Sequence, residues 1–231
     1  MTFIVKDSGG GGDWVPLDAG VYHAVTYAIV DLGTQFSQLF GVEQKKLWVC
    51  WELPEERVDI EEDGQKVNKP RVISNFYTQS LHEKSNLRGH LESWRGRAFT
   101  ERELAGFDIS KLFGVNCQIN VIHKTNQKGQ TKAVIGSIMP LSKKMPKLEA
   151  ENDYVYFSME EHGLNIPEDV PDGIKAMIMK SREWNESNQQ MDRNDWREDN
   201  VPPPLQDSDP WGNNEPPSEP PGGLDPNEVP F

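Results

Sequence analysis

Six aromatic residues, Trp48, Trp51, Phe76, Tyr77, Trp94 and Phe99, interleave with seven cations, Lys45, Lys46, Lys69, Arg71, Arg88, Arg95 and Arg97. Aromatic faces stack on bases and cations neutralise phosphates, so this mixture suits non-covalent binding of a single nucleic-acid strand without sequence preference. Alternation sorts the candidates. If Leu47, Val49 and Trp51 face a core, then Lys46, Trp48 and Cys50 face outward, which makes Trp48 the better stacking residue of the two tryptophans. In the next apolar stretch Arg71, Ile73, Asn75 and Tyr77 share one face, and Val72, Ser74 and Phe76 the other. Arg71 with Tyr77 would suit a backbone and a base, yet either aromatic of that stretch could equally serve as ordinary core packing.

Other cations extend the set. Trp94-Arg95-Gly96-Arg97 has two readings: a phosphate clamp around a glycine that permits close backbone approach, or a helix end capped by Gly96 with its arginines answering the macrodipole. Lys124, Lys128 and Lys132 surround a hairpin turn at Lys128-Gly129, and Lys143, Lys144 and Lys147 follow. The first three would edge a binding groove; the later ones would lengthen the track or hold an acidic segment.

Reactive groups are scarce. The five histidines, at 23, 82, 90, 123 and 162, have no metal-ligand spacing, and His82 and His90 read as surface residues. Cys50 and Cys117 lie in apolar alternating stretches and read as reduced core thiols. Gly9 to Gly12 lacks the Lys-Ser/Thr of a phosphate loop, and the carboxylate pairs Glu55-Glu56 and Glu61-Glu62-Asp63 sit in a charged stretch that reads as a solvated loop. No catalytic residue, metal or cofactor is expected. No secretory signal opens the sequence and no apolar run nears the roughly 20 residues of a membrane span, so the expected setting is the cytoplasm.

The formal net charge of −13 at first argues against a polyanionic partner. Its distribution reverses that. Between Lys69 and Lys147 stand fourteen Lys and Arg against five acids, a surplus of nine positive charges, whereas Asp195 to Phe231 holds nine acids against Arg197 alone. The latter segment also carries ten prolines after Val201. Such composition cannot offset an ordering entropy of roughly 1–2 kcal/mol per residue, so a disordered, extended tail is expected, able to compete for the basic surface.

The tail ends Asp225-Pro226-Asn227-Glu228-Val229-Pro230-Phe231. Asp225, Glu228, Val229, Pro230 and Phe231 resemble the acidic tip of bacterial single-stranded DNA-binding proteins, where an aliphatic residue, proline and phenylalanine follow acids. The resemblance implies a docking signal for replication and repair enzymes. It covers the tip alone.

These groups need a scaffold. Gly20 to Leu32, Lys45 to Leu53 and Arg71 to Leu81 read as three strands, separated after the second by the charged loop Pro54 to Asn68 with a turn at Asp63-Gly64. Glu83 to Trp94 places Leu87, Leu91 and Trp94 at helical spacing, and Thr100-x-x-Glu103 is a capping box. Strands resume at Val115 to His123 and Lys132 to Met139, with Asp153 to Ser158 a further candidate and Pro171 to Asn188 a terminal helix. Three strands, a helical connection and a hairpin give a mainly β fold with α elements, an OB-fold-like five-stranded barrel. The expected organisation is a flexible 1–15, a binding domain 16–147, a strand and helix extension 148–194 and the tail 195–231.

Leu47-Trp48-Val49-Cys50-Trp51-Glu52-Leu53, Ser80-Leu81-His82-Glu83-Lys84-Ser85-Asn86-Leu87-Arg88 and Ser93-Trp94-Arg95-Gly96-Arg97-Ala98-Phe99-Thr100 are similar to stretches of small phage-encoded replication proteins thought to bind single-stranded DNA. That likeness spans roughly Gly20 to Leu141 and implies a protein that coats single strands in a bacterial host during replication, recombination and repair. Expected partners are single-stranded DNA, replication and recombination enzymes at the tip, and in some arrangements further copies of the chain. The alternative is a replication-initiation or helicase-loading accessory acting through protein contacts. A nuclease or recombinase would need a carboxylate cluster that the sequence does not display.

Overall fold

The computed structural model describes residues 16–38, 41–62, 64–125, 129 and 131–189. Runs of β-branched and aromatic residues form β1 (Gly20–Ser37), β2 (Val42–Glu62), β3 (Gln65–Thr78), β4 (Asn116–Thr125), β5 (Thr131–Pro140) and the short β6 (Val155–Phe157). The helices are α1 (Asn86–Arg95), α2 (Glu101–Ala105), α3 (Met159–His162) and α4 (Asp172–Ile178). The five main strands pair antiparallel in the order β3-β2-β1-β4-β5. β6 adds to β1 in parallel, with Ala28 opposite Val155. The second edge of β1 is thus shared, Gly20–Val25 pairing with β4 and Ala28–Val30 with β6.

The architecture is mainly antiparallel sheet with a few helices, and β3 and β5 remain its two ends without a ladder between them. Helix α1 packs against both of these end strands. It forms for local reasons. Leu87, Leu91 and Trp94 make one apolar stripe at i, i+4 and i+7 and all three are buried. Gly96 ends the helix in the left-handed conformation (φ 66°), and the N–H groups of Gly96 and Arg97 return to Ser93 and Glu92. The capping box at Thr100 and Glu103 opens α2 as the sequence indicates.

Strand β2 is a wall between two cores. Leu47, Val49, Trp51 and Leu53 face one cluster with Ile73, Tyr77, the α1 stripe, Ile119, Val121 and Ile138. Trp48 and Cys50 face the other, with Ala28, Val30, Leu32, Val155, Phe157, Val170, Ile174 and Ile178. Burial there raises the Cys50 thiol to about 12. Polar clamps fasten the 148–189 segment onto this second face. The buried Glu52 carboxylate accepts the N–H groups of Glu151 and Asn152 at 2.8 and 2.9 Å and the Asn152 side-chain amide as well. Asn116 exchanges hydrogen bonds with the backbone of Leu148, donating to its carbonyl at 2.9 Å and accepting from its N–H at 2.8 Å. Glu183 accepts the N–H and the hydroxyl of Thr34. Burial alone would raise the Glu183 pKa, but the bonds from Thr34 outweigh it and hold the carboxyl below its ordinary range.

Three expectations change. The charged stretch Pro54 to Asn68 is no loop: β2 and β3 stay paired from Arg57 opposite Pro70 to Glu62 opposite Gln65, after an irregularity between Leu53 and Arg57. Cross-strand bonding explains it. Arg57 donates to the side chain and carbonyl of Asn68 at 2.8 and 2.9 Å and pairs with Glu151. The expected helix over Pro171 to Asn188 is two pieces, α4 and a helical run over 182–189. Helix α1 starts at Asn86 rather than Glu83, because His82 to Lys84 form a turn closed by Ser85 N–H to His82 carbonyl.

Candidate nucleic-acid interface

The strand faces put the aromatics in two classes. Trp48 does face away from the main core, as alternation requires, but the 148–189 segment covers it and leaves 5% exposed. A ring so enclosed offers no stacking face, and this corrects its assignment. Tyr77 and Trp94 are buried in the main core at 3% and 5%. The face shared by Arg71, Ile73 and Tyr77 is the inward one. Phe76 lies opposite Trp48 on the outward face and is 50% exposed. It is the one aromatic of the predicted stacking set on this sheet face that stands open.

Tyr77 has a different task. Its hydroxyl meets His90 Nδ1 at 2.8 Å, and the rings stack edge to face. Burial holds the His90 pKa below the ordinary imidazole range. His90 is therefore half-buried against α1's own core rather than a free surface group, contrary to the expectation from sequence.

The arginines around α1 are committed to carboxylates. Arg88 donates to Glu92 at 2.9 Å and to the Leu81 carbonyl at 3.3 Å. Arg95 and Arg97 converge on Glu103, with Arg97 at 2.8 and 3.1 Å, and the Arg95 guanidinium lies 4.4 Å from the Phe99 ring centroid. Hydrogen bonds from Arg97 and Thr100 hold the Glu103 pKa at about 2. These contacts favour the helix-end reading of Trp94-Arg95-Gly96-Arg97. Lys124 and Lys132 face each other across the β4–β5 ladder and are exposed, as are Lys143 and Lys144 beyond β5. Lys69 and Arg71 lie on β3, both half-buried. Lys128 lies outside the described residues, as do Asp225, Glu228, Val229, Pro230 and Phe231.

A groove of about 380 Å3 opens where the outward face of β2 and β3 meets the start of α1. Lys46, Phe76, Thr78, Ser80, His82 and Lys84 line it. The Lys46 ammonium donates to Gln44 Oε1 at 2.7 Å and to Thr78 Oγ1 at 2.8 Å. Ser80 accepts the His82 N–H and His82 Nδ1 accepts the Lys84 N–H, which fixes the loop. Of the predicted residues, the structure brings Lys46, Phe76 and the largely buried Tyr77 together here. It adds Ser80, His82 and Lys84, which composition alone did not select.

A second groove, of about 360 Å3, is lined by Asp31, Glu160 and Glu183, with Lys45 the one cation among the described residues there. Its charge disfavours phosphate. Among the described residues no cluster of His, Cys, Asp and Glu could hold a metal ion, and no helix is long and apolar enough to cross a membrane. No protein-family model matches the chain, and no curated protein matches it significantly.

Proposed function

We propose that this protein binds single-stranded DNA non-specifically, coating it during phage replication, recombination and repair, and recruits partner enzymes through the acidic tip Asp225 to Phe231. The observation that carries the reading is the groove with an exposed Phe76 and a lysine-bearing rim on a sheet whose Lys69 to Lys147 segment holds nine surplus positive charges. Stacking and phosphate neutralisation are what a non-specific single-strand binder requires. The strand order β3-β2-β1-β4-β5, with α1 between β3 and β4, supports an OB-fold barrel opened between β3 and β5, a fold whose β2–β3 face commonly takes oligonucleotides. No catalytic role is assigned.

The test is fluorescence anisotropy of a labelled oligothymidylate titrated with the full chain and with a chain lacking 195–231. Expected is binding by both, tighter without the acidic segment at low salt, the gain shrinking as salt rises. A tailless protein that fails to bind at low salt removes the DNA reading. Intrinsic tryptophan fluorescence is the poorer probe, since Trp48, Trp51 and Trp94 are all buried.

A further inference from the structure

We infer that the groove between Phe76 and the start of α1 holds one nucleotide of the bound strand, its base on the Phe76 ring and its phosphate between Lys46 and Lys84. This rests on the single-strand reading above and assigns it a subsite. The volume of about 380 Å3 lies at the lower end of the roughly 300–1,000 Å3 of small-ligand sites, which suits one nucleotide and not a longer segment.

The two halves of the groove have complementary chemistry. Phe76 is a large apolar side chain half open to solvent, and its strand position is fixed by its partner Trp48, locked in the second core. A platform held in place before binding loses little freedom on complex formation. Lys46 is held by two neutral oxygens, so its charge is oriented without being neutralised. Lys84 is exposed and, like Lys46, has no ion pair among the described residues. That separates them from Arg88, Arg95 and Arg97, whose charges are answered by Glu92 and Glu103. The first turn of α1 contains no acidic residue, and Glu83 is exposed and does not line the groove. Thr78, Ser80 and His82 supply polar groups between ring and cations. The other groove of similar size, with three carboxylates and one lysine, has the opposite character.

The experiment titrates labelled oligothymidylate with the full chain and with Phe76→Ala, Phe76→Trp, Lys46→Gln and Lys84→Gln, at several salt concentrations. Phe76→Ala should weaken binding about 5- to 100-fold and Phe76→Trp should restore it. Each lysine variant should lower the slope of log affinity against log salt by about 0.7. Photocrosslinking to an oligonucleotide bearing 5-iodouracil should place the adduct on Phe76. If the unaltered protein binds no oligothymidylate, the single-strand reading itself falls. If it binds and the four variants bind equally well, with unchanged salt slopes and adducts elsewhere, the subsite is overturned while that reading stands. Intact oligothymidylate affinity together with lost affinity for a peptide of residues 225–231 would assign the groove to the acidic tip and also overturn the subsite.

Discussion

Replacing Gly33 by alanine tests how the 148–189 segment is seated. Gly33 lies at a break in the β1–β2 register with φ 63°, its N–H donated to Asp31 at 2.8 Å. A left-handed backbone costs an L-residue roughly 1–2 kcal/mol. The added methyl would stand 2.7 Å from Ser181 Cβ, 2.8 Å from Met159 Cε and 2.9 Å from Glu183 Oε2. The methionine end can swing away. Ser181 is fully buried and its Cβ moves only with the backbone, while Glu183 can move only by releasing Thr34. Overpacking of this kind adds about 1–3 kcal/mol. The total, about 2–5 kcal/mol, is a large share of an ordinary stability of roughly 5–15 kcal/mol. Thermal unfolding followed by circular dichroism should then show Tm lower by about 5–20 °C. Gly89→Ala is the control of opposite sign: in α1, with nothing within 4 Å of the new methyl, it should stabilise by roughly 0.5–1 kcal/mol. A Gly33→Ala protein melting within about 2 °C of the parent would refute the reasoning.

Two more outcomes are expected. Trp48→Ala should cost about 3–5 kcal/mol of stability by emptying the second core; a variant with the parental Tm and lost binding would return Trp48 to the stacking set. Glu103 is ionised down to about 2 in the folded chain against an ordinary 4.5, so its contribution is complete above pH 4.5 and is lost as pH falls toward 2. The Tm gap between parent and Glu103→Gln should therefore narrow across that window. A gap constant from pH 5 to pH 2.5 would contradict it.

The strands and α1 were legible because their signals are local. Alternation in Leu47 to Leu53 and the Leu87, Leu91, Trp94 stripe describe faces that a few neighbouring residues define. What alternation cannot say is what lies over a face. Trp48 was placed on the correct side of β2, and only Val155, Phe157 and Ile174, more than a hundred residues later, decide that this side is a core. The β2–β3 arm failed for a related reason: Glu55, Glu56, Glu61 and Glu62 read as a solvated loop, but ladder pairing with β3 needs no apolar face. The lysines at 46 and 84 needed the fold to bring them to one groove. Nothing in the spacing of Lys84 set it apart from the other cations.

The wall formed by β2 sets where this chain could be divided. The sequence suggests a boundary near 147, with a binding domain before it and an appendage after. Cutting there would strip the cover from Ala28, Val30, Leu32, Trp48 and Cys50 and leave Glu52 without its backbone donors. An apolar surface of that kind promotes self-association. The 148–189 segment and the sheet therefore make one folding unit, and a cut that leaves both cores covered falls after the helical run 182–189.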